Sequence, residues 1–313
     1  MAYGEIGQYI DLGFFSWRRS DAGYQIKATE PVLAEGKSDL FVLEKTETTG
    51  YQVTRPLENK VLFRAFGDLD GSPESFIEFA NENGLLTQGE SLATPPVNGA
   101  CDRTVRGDRL SLWTDEHWIL QRVLETWDWL RAGDLENLQN VILWTSSGTV
   151  KYFFAERNDL KSFRTHGAEI VNGALRRRDN GARLRIMEGE FDSPGLIERF
   201  VRGDVILPAQ TAVQLLVNRQ LSKHPVRPML LMDKKNALKQ YFVPENLLAA
   251  MWFQLFQGLS GERKFKKCSV CHLWEDVTEK RANWSRHPEC AGRIRTRKYR
   301  EKLKEAAKSG EKG

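Results

Sequence analysis

The sequence predicts an α+β protein: a mainly helical body with β-hairpins, then a small cysteine-rich module and a basic C-terminal helix. Three observations lead there. Apolar residues recur at helical spacing through the middle of the chain, with capping residues at the expected ends. Short apolar and aromatic runs bounded by turn residues interrupt those helices. Composition then shifts from apolar to charged just after Gly261. The expected boundaries are a body over 1–261, with an N-terminal hairpin region over about 1–60, and a module over 262–313.

Each element has its own signal. Leu40 to Leu43 and Tyr51 to Thr54 flank a turn ending at Gly50 and read as a hairpin. Ser72-Pro73-Glu74 is a helix start, with a cap, a proline at the first position and an acid near the positive dipole end. Phe76, Ile77, Phe79 and Ala80 form the apolar side of that helix, and Gly84 stops it. Asp68 and Asp70 precede it and read as turn chemistry. Residues 87–108 mix Gly, Pro, Thr, Asn and Asp without periodicity and read as a loop. Thr114-Asp115-Glu116 opens the next helix, with Trp118, Ile119, Val123, Trp127 and Leu130 at helical spacing and Gly133 at its end. Asp115-Glu116-His117 then reads as acidic decoration of a helix N-terminus rather than a metal or acid–base cluster.

Further on, residues 135–144 make a short helix, Val150 to Phe154 a strand, and about 159–179 a polar helix. Leu184 to Met187 reads as a strand, and Pro208 begins a helix through Leu221. Met229 to Met232 and Leu238 to Phe242 flank a turn and form a hairpin. Pro244 starts the most apolar helix, through Leu247, Leu248, Met251, Trp252, Leu255 and Phe256, closed by Gly258 and Gly261. Apolar nearly all round, it belongs inside the body.

The chain has 313 residues, is 41% hydrophobic and carries nine tryptophans, enough for a packed core. No basic region followed by an apolar stretch follows Met1, and no apolar run approaches the about 20 residues of a membrane span. A soluble, cytoplasmic protein with no membrane partner is the expectation. Of four cysteines, Cys101 stands alone and three cluster near the C-terminus with a histidine. That distribution suits a reducing compartment and one metal site rather than a disulfide scaffold. Residues 262–313 carry 16 Lys and Arg against 8 Asp and Glu; from totals of 46 and 42, residues 1–261 keep 30 against 34. A mildly acidic body thus bears a basic tail of net +8, an arrangement suited to binding a polyanion.

Cys268-x2-Cys271, fifteen residues, then His287-x2-Cys290 is a spacing that closes a tetrahedral Zn2+ site, each pair sitting on one short turn. His272 competes with His287 as the imidazole ligand. Four protein ligands leave no position for a reactive water, so the zinc would be structural. From Arg293 to Lys308 the chain lacks Gly and Pro and reads as a helix. Ile294, Tyr299, Leu303 and Ala306 give it a thin apolar side. Its cations Arg293, Arg295, Arg297, Lys298, Arg300 and Lys304 suit a phosphate backbone or a major groove.

Residues 264–300 resemble the CGNR-type zinc finger found at the C-terminus of many uncharacterised bacterial proteins. Cys290-Ala-Gly-Arg293 stands where that family has its name-giving Cys-Gly-Asn-Arg, and Trp284 and Arg297-Lys-Tyr-Arg300 are similar too. Leu62 to Asp70 and Phe79 to Leu86 resemble segments that precede such fingers. Ser285 occupies the family's third cysteine position, which leaves the fourth ligand open, His287 lying two residues away. The resemblance implies a DNA-binding or regulatory protein of bacterial origin.

Three functional classes follow. The first is a nucleic-acid-binding regulator, contacting DNA rather than RNA, whose body senses a ligand or binds a protein partner. The second is a ribonuclease: Arg219-x4-His224 is similar to the loose Arg–His pattern of HEPN-like enzymes, whose pair acts on the RNA 2′-hydroxyl and the cleaved phosphate. The third is a protein-interaction module. No phosphate-binding loop, nucleophile elbow or zinc-protease motif is present, and the balance leans away from an enzyme. Trp118, Trp127 and Trp252 read as core; Trp274 and Trp284 suit either packing or base stacking.

Overall fold

The computed structural model describes residues 17–29, 39–45, 50–54, 59–94, 103–145, 148–155, 168–171, 174–177, 186–191, 194–232, 237–261, 263–281 and 283–310. Cys101 lies outside them. The fold is mixed α+β, with eight helices and several small antiparallel sheets among the described residues.

β1 (Trp17–Ser20), β2 (Tyr24–Thr29), β3 (Asp39–Glu44) and β4 (Tyr51–Thr54) open it. The expected hairpin between residues 40–43 and 51–54 does not form. β4 pairs with β1, while β3 lies between β2 and a later strand. The Asp21 N–H donates to Gly50 O, and Val42 is fully buried in β3. Burial and non-local pairing override the nearest turn. β5 (Glu90–Thr94) and β6 (Arg103–Arg109) complete the sheet, in the order β2-β3-β6-β5. Both fall where a loop was expected. Asp108, a loop signal in the sequence, is only 2% exposed and accepts the N–H groups of Leu86 and Thr87 at 2.7 and 3.1 Å. Its carboxylate ties the strand to the turn before β5.

α1 (Leu62–Gly67), for which the sequence showed no cap signal, precedes α2 (Pro73–Asn83), which follows its sequence signals closely. Ser72 caps α2 by accepting the Ser75 N–H, and Asp70 accepts the Ser72 N–H at 2.8 Å. α3 (Leu110–Ala132) starts earlier than Thr114, so Asp115, Glu116 and His117 lie well inside it. Glu116 and His117 are buried, not surface decoration. The Glu116 carboxylate accepts from Trp252 Nε1 at 3.2 Å, and the His117 Nε2 lies 3.1 Å from Leu69 O. Gly133, at φ 67°, closes α3 in the left-handed region. α4 (Leu135–Val141) is capped by Asp134, and its expected last residues form β7 (Ile142–Trp144) instead.

β8 (Val150–Ala155) pairs with β7 on one side and with β11 (Ile186–Glu190) on the other. Where a polar helix was expected over 159–179, the described residues form the hairpin β9 (Ala168–Val171) and β10 (Ala174–Arg177). The two residues between them are Asn172-Gly173, a strong two-residue hairpin signal that outweighs the charge pattern. After α5 (Pro194–Ile197), α6 (Ile206–Lys223) begins two residues before Pro208, and the Asp204 carboxylate accepts the Ile206 N–H. β12 (Val226–Met232) and β13 (Leu238–Pro244) form the expected hairpin. Pro244 ends β13 rather than starting a helix. Asn246 caps α7 (Leu247–Leu259), accepting the Ala249 N–H at 2.8 Å.

α3, α6 and α7 form the centre of the body, with Trp113 and Trp252 almost fully enclosed. Gly258 does not terminate α7. It lets the helix approach closely, because a Cβ there would meet Trp127 at 2.8 Å and Phe265 at 2.9 Å. Phe265 belongs to β14 (Phe265–Lys267), which pairs with β15 (Trp274–Asp276). α8 (Pro288–Gly310) is the last element, starting before the expected Arg293. No helix among the described residues is long and apolar enough to cross a membrane.

Candidate metal centre

The two halves of the cysteine-rich module come from different local structures. Cys268 and Cys271 lie at the ends of a tight turn after β14, in which the His272 N–H donates to Cys268 O and the Cys268 N–H to Leu273 O. His287 precedes α8, Pro288 takes its first position and Cys290 follows within the first turn. The Ser269 N–H donates to Ser285 O at 2.9 Å, joining the halves. Ser285 thus contributes a backbone carbonyl, while its side chain is exposed.

Cys268 Sγ, Cys271 Sγ, the His287 ring and Cys290 Sγ place their ligand atoms within 4.8 Å of one another. His287 Nδ1 is 3.4 Å from Cys271 Sγ and 3.9 Å from Cys290 Sγ. A tetrahedral zinc with ordinary bond lengths separates sulfur from nitrogen by about 3.5 Å and sulfur from sulfur by about 3.8 Å. The donor set therefore fits a metal after movements of less than about 1 Å. His272 is not a member of this cluster.

Charge points the same way. Burial pushes the Cys268 thiol up, yet the N–H groups of Cys271, His287 and Val270 outweigh it and bring the group down to about 6. Burial, with the neighbouring Cys271 and Cys268 sulfurs, pushes Cys290 up to about 11. Three thiols this close resist ionising together, and a divalent cation removes that resistance.

Contacts that the ligand spacing did not reveal hold His287 in place. His287 Nε2 lies 2.9 Å from Glu275 Oε2 on β15, which turns Nδ1 towards the sulfurs. This is the carboxylate–histidine arrangement that fixes an imidazole tautomer for metal binding. Lys280 Nζ in turn reaches Glu275 Oε1 at 2.7 Å and sits over the Trp284 ring, which packs edge-on against His287. No family model, curated protein or solved structure matches the chain.

The turn holding Cys271 carries a cost. His272 has φ 60°, the left-handed conformation that glycine adopts freely and other residues resist. With no ligand role in the cluster, its side chain is dispensable. His272→Gly is expected to raise the module's stability by about 0.5–1 kcal/mol without changing metal stoichiometry. Thermal melting of the metal-loaded protein checks the first, elemental analysis the second.

The module is fastened to the body. Trp274 Nε1 donates to Asp68 Oδ2 at 2.7 Å, and Lys267 Nζ reaches the same oxygen. Trp274 is therefore a packing residue, not a free stacking platform, and Asp68 does more than shape a turn. The Arg64 guanidinium lies 4.4 Å from the Trp274 ring centre and 4.9 Å from that of Trp127.

Arg293, Arg295, Arg297, Lys298 and Arg300 are all exposed on α8, and the helix continues through Lys304. Tyr299 is 64% exposed, so it does not form the expected apolar contact. Arg219 is exposed on α6, whereas the His224 ring, at the end of that helix, lies 3.5 Å from the buried Glu116 carboxylate. His224 is engaged with α3 rather than presented beside Arg219.

Proposed function

We propose that this chain is a bacterial nucleic-acid-binding zinc-finger protein, a regulator whose body senses a ligand or binds a partner. Zinc is the metal best suited to three thiolates and an imidazole in a closed tetrahedral set. Bound there, it supplies folding energy and cancels thiolate charge, with no open position for a reactive water. The resemblance of residues 264–300 to CGNR-type fingers points the same way.

One observation carries the nucleic-acid reading. Arg293, Arg297 and Arg300 follow i, i+4, i+7 spacing along an exposed helix whose first turn holds Cys290. They form one basic stripe about 10 Å long, anchored at the metal cluster. Such a stripe fits the phosphate backbone of duplex DNA, and Arg295 and Lys298 extend the positive surface to the opposite side.

Three phosphate contacts give a log–log salt slope of about −2.7, so affinity for a labelled duplex falls about 40-fold between 50 and 200 mM salt. Replacing Arg293, Arg297 and Arg300 together by glutamine in the full chain is expected to remove that slope and most of the affinity. Unchanged binding and slope in the triple variant would refute the reading. Binding that persists at high salt would favour a protein partner instead.

A further inference from the structure

A groove of about 440 Å³ opens between α3, α6 and α7. Trp127 and Leu130 come from α3, Val213 and Val217 from α6, and Phe256 and Leu259 from α7. Its size lies within the range of small-molecule sites, about 300–1,000 Å³. The apolar part of the wall is four aliphatic side chains and two aromatic ones, Trp127 and Phe256. Phe256, in the most apolar helix of the chain, is nevertheless 41% exposed.

Five polar residues, Arg131, Gln210, Gln214, Asn218 and Ser260, complete the lining. Arg131 is the one charged residue among the described residues lining the groove, and its guanidinium rests 5.5 Å from the Trp127 ring centre. No carboxylate pairs with it among the described residues. Gln210 and Gln214, four residues apart on α6, add amide groups to the lining. A half-apolar cleft with a single cation and otherwise neutral polar groups is the chemistry of an amphipathic acid. Two aromatic walls favour a flat ring over an acyl chain.

We propose that this groove is a binding site for a small aromatic monocarboxylate. The ring lies against Trp127 and Phe256, and the carboxylate pairs with Arg131. The site does not depend on whether α8 contacts nucleic acid. It gives the body a ligand of stated class.

The probe is 2-naphthoate, with neutral 2-naphthamide as its isosteric control, titrated into the full metal-loaded chain by calorimetry and ligand-observed NMR. Saturable one-site binding of the acid, at least fivefold tighter than of the amide, is expected, the ratio being about what one partly exposed charge pair contributes. Arg131→Gln should erase the preference while leaving the amide's affinity unchanged. Gln214→Trp, a plug set on the exposed lining, should abolish both. Arg131 and Gln214 are exposed, so both variants should fold, which near-UV circular dichroism checks. Absence of saturable binding overturns the site, as does binding that survives the plug. Equal affinity for acid and amide overturns the ligand class.

Discussion

Cys268→Ser is expected to abolish metal retention and to unfold the module from about residue 263 to the first turns of α8, while the body stays folded. Cys268 is completely enclosed and sits where the turn and β14 meet. An alcohol is a poor zinc ligand, so the set falls to three donors. Apparent metal-binding free energies of about 10–16 kcal/mol in small zinc modules are largely their folding free energy. The two short strands β14 and β15 hold little apolar area that could compensate. The body should lose only what β14 and β15 give it. Chief among these is Phe265, which packs edge-on against Phe63 with ring centres 5.1 Å apart; that burial contributes about 2–3 kcal/mol. Elemental analysis and hydrogen exchange resolved by segment test both halves. Full metal content, or unchanged protection over β14 and β15, would show that the cluster is not the module's organising element. Glu275→Gln supplies a graded comparison: it weakens the hold on the His287 ring without removing a ligand, and a 10–100-fold loss of metal affinity is expected.

How much of this was legible in the sequence depended on range. The four candidate ligands form two local pairs, each set by a spacing of three, and their types are those zinc prefers. α2 was readable because its cap and apolar spacing are local too; in α7 the apolar spacing was readable, while its cap, Asn246, was passed over for Pro244. The β-structure was harder. β3 reads as the partner of β4, yet pairs with β2 and β6, because Val42 must be buried and no local feature records which strand will cover it. β5 and β6 hid in a segment rich in turn residues, where Asp108 is a buried anchor rather than a loop residue. β9 and β10 were obscured by charge, although the dipeptide Asn172-Gly173 is by sequence a two-residue hairpin signal.

Long-range polar partners, in the body and between body and module, were invisible for the same reason. Trp274 and Asp68 are 206 residues apart, and Trp252 and Glu116 are 136 apart. Each is unremarkable in its own neighbourhood. Glu275 was hidden differently: only 12 residues from His287, it lies between the two ligand pairs in a run of ordinary charged residues. Its role appears only when β15 carries it beneath the imidazole.

Arg64 is where the body and the module meet, and its replacement should have the largest effect among non-ligand residues. Its two terminal nitrogens donate to the Asp128 carboxylate at 2.6 and 2.7 Å, a bidentate fork. The planar group also lies between the Trp127 and Trp274 rings, with only 2% of the side chain exposed. Its Nε finds no hydrogen-bond partner, so the position is not optimised for polar satisfaction alone. Both planarity and charge are used, and lysine supplies only the charge. Arg64→Ala is expected to cost about 3 kcal/mol through lost packing and lost charge-assisted bonds, with exchange in β14 and β15 rising first. Arg64→Lys should lose about half of that. If lysine restores full stability, the contact is a simple ion pair. If neither variant raises exchange in β14 and β15, the Asp68–Trp274 bond and Phe265 suffice to hold the module. The same Trp127 ring lines the groove between α3, α6 and α7, so Arg64 touches the wall of one site and the support of the other. Occupation of the groove is therefore expected to lower exchange in β15 in the wild-type chain and to leave it unchanged in Arg64→Ala.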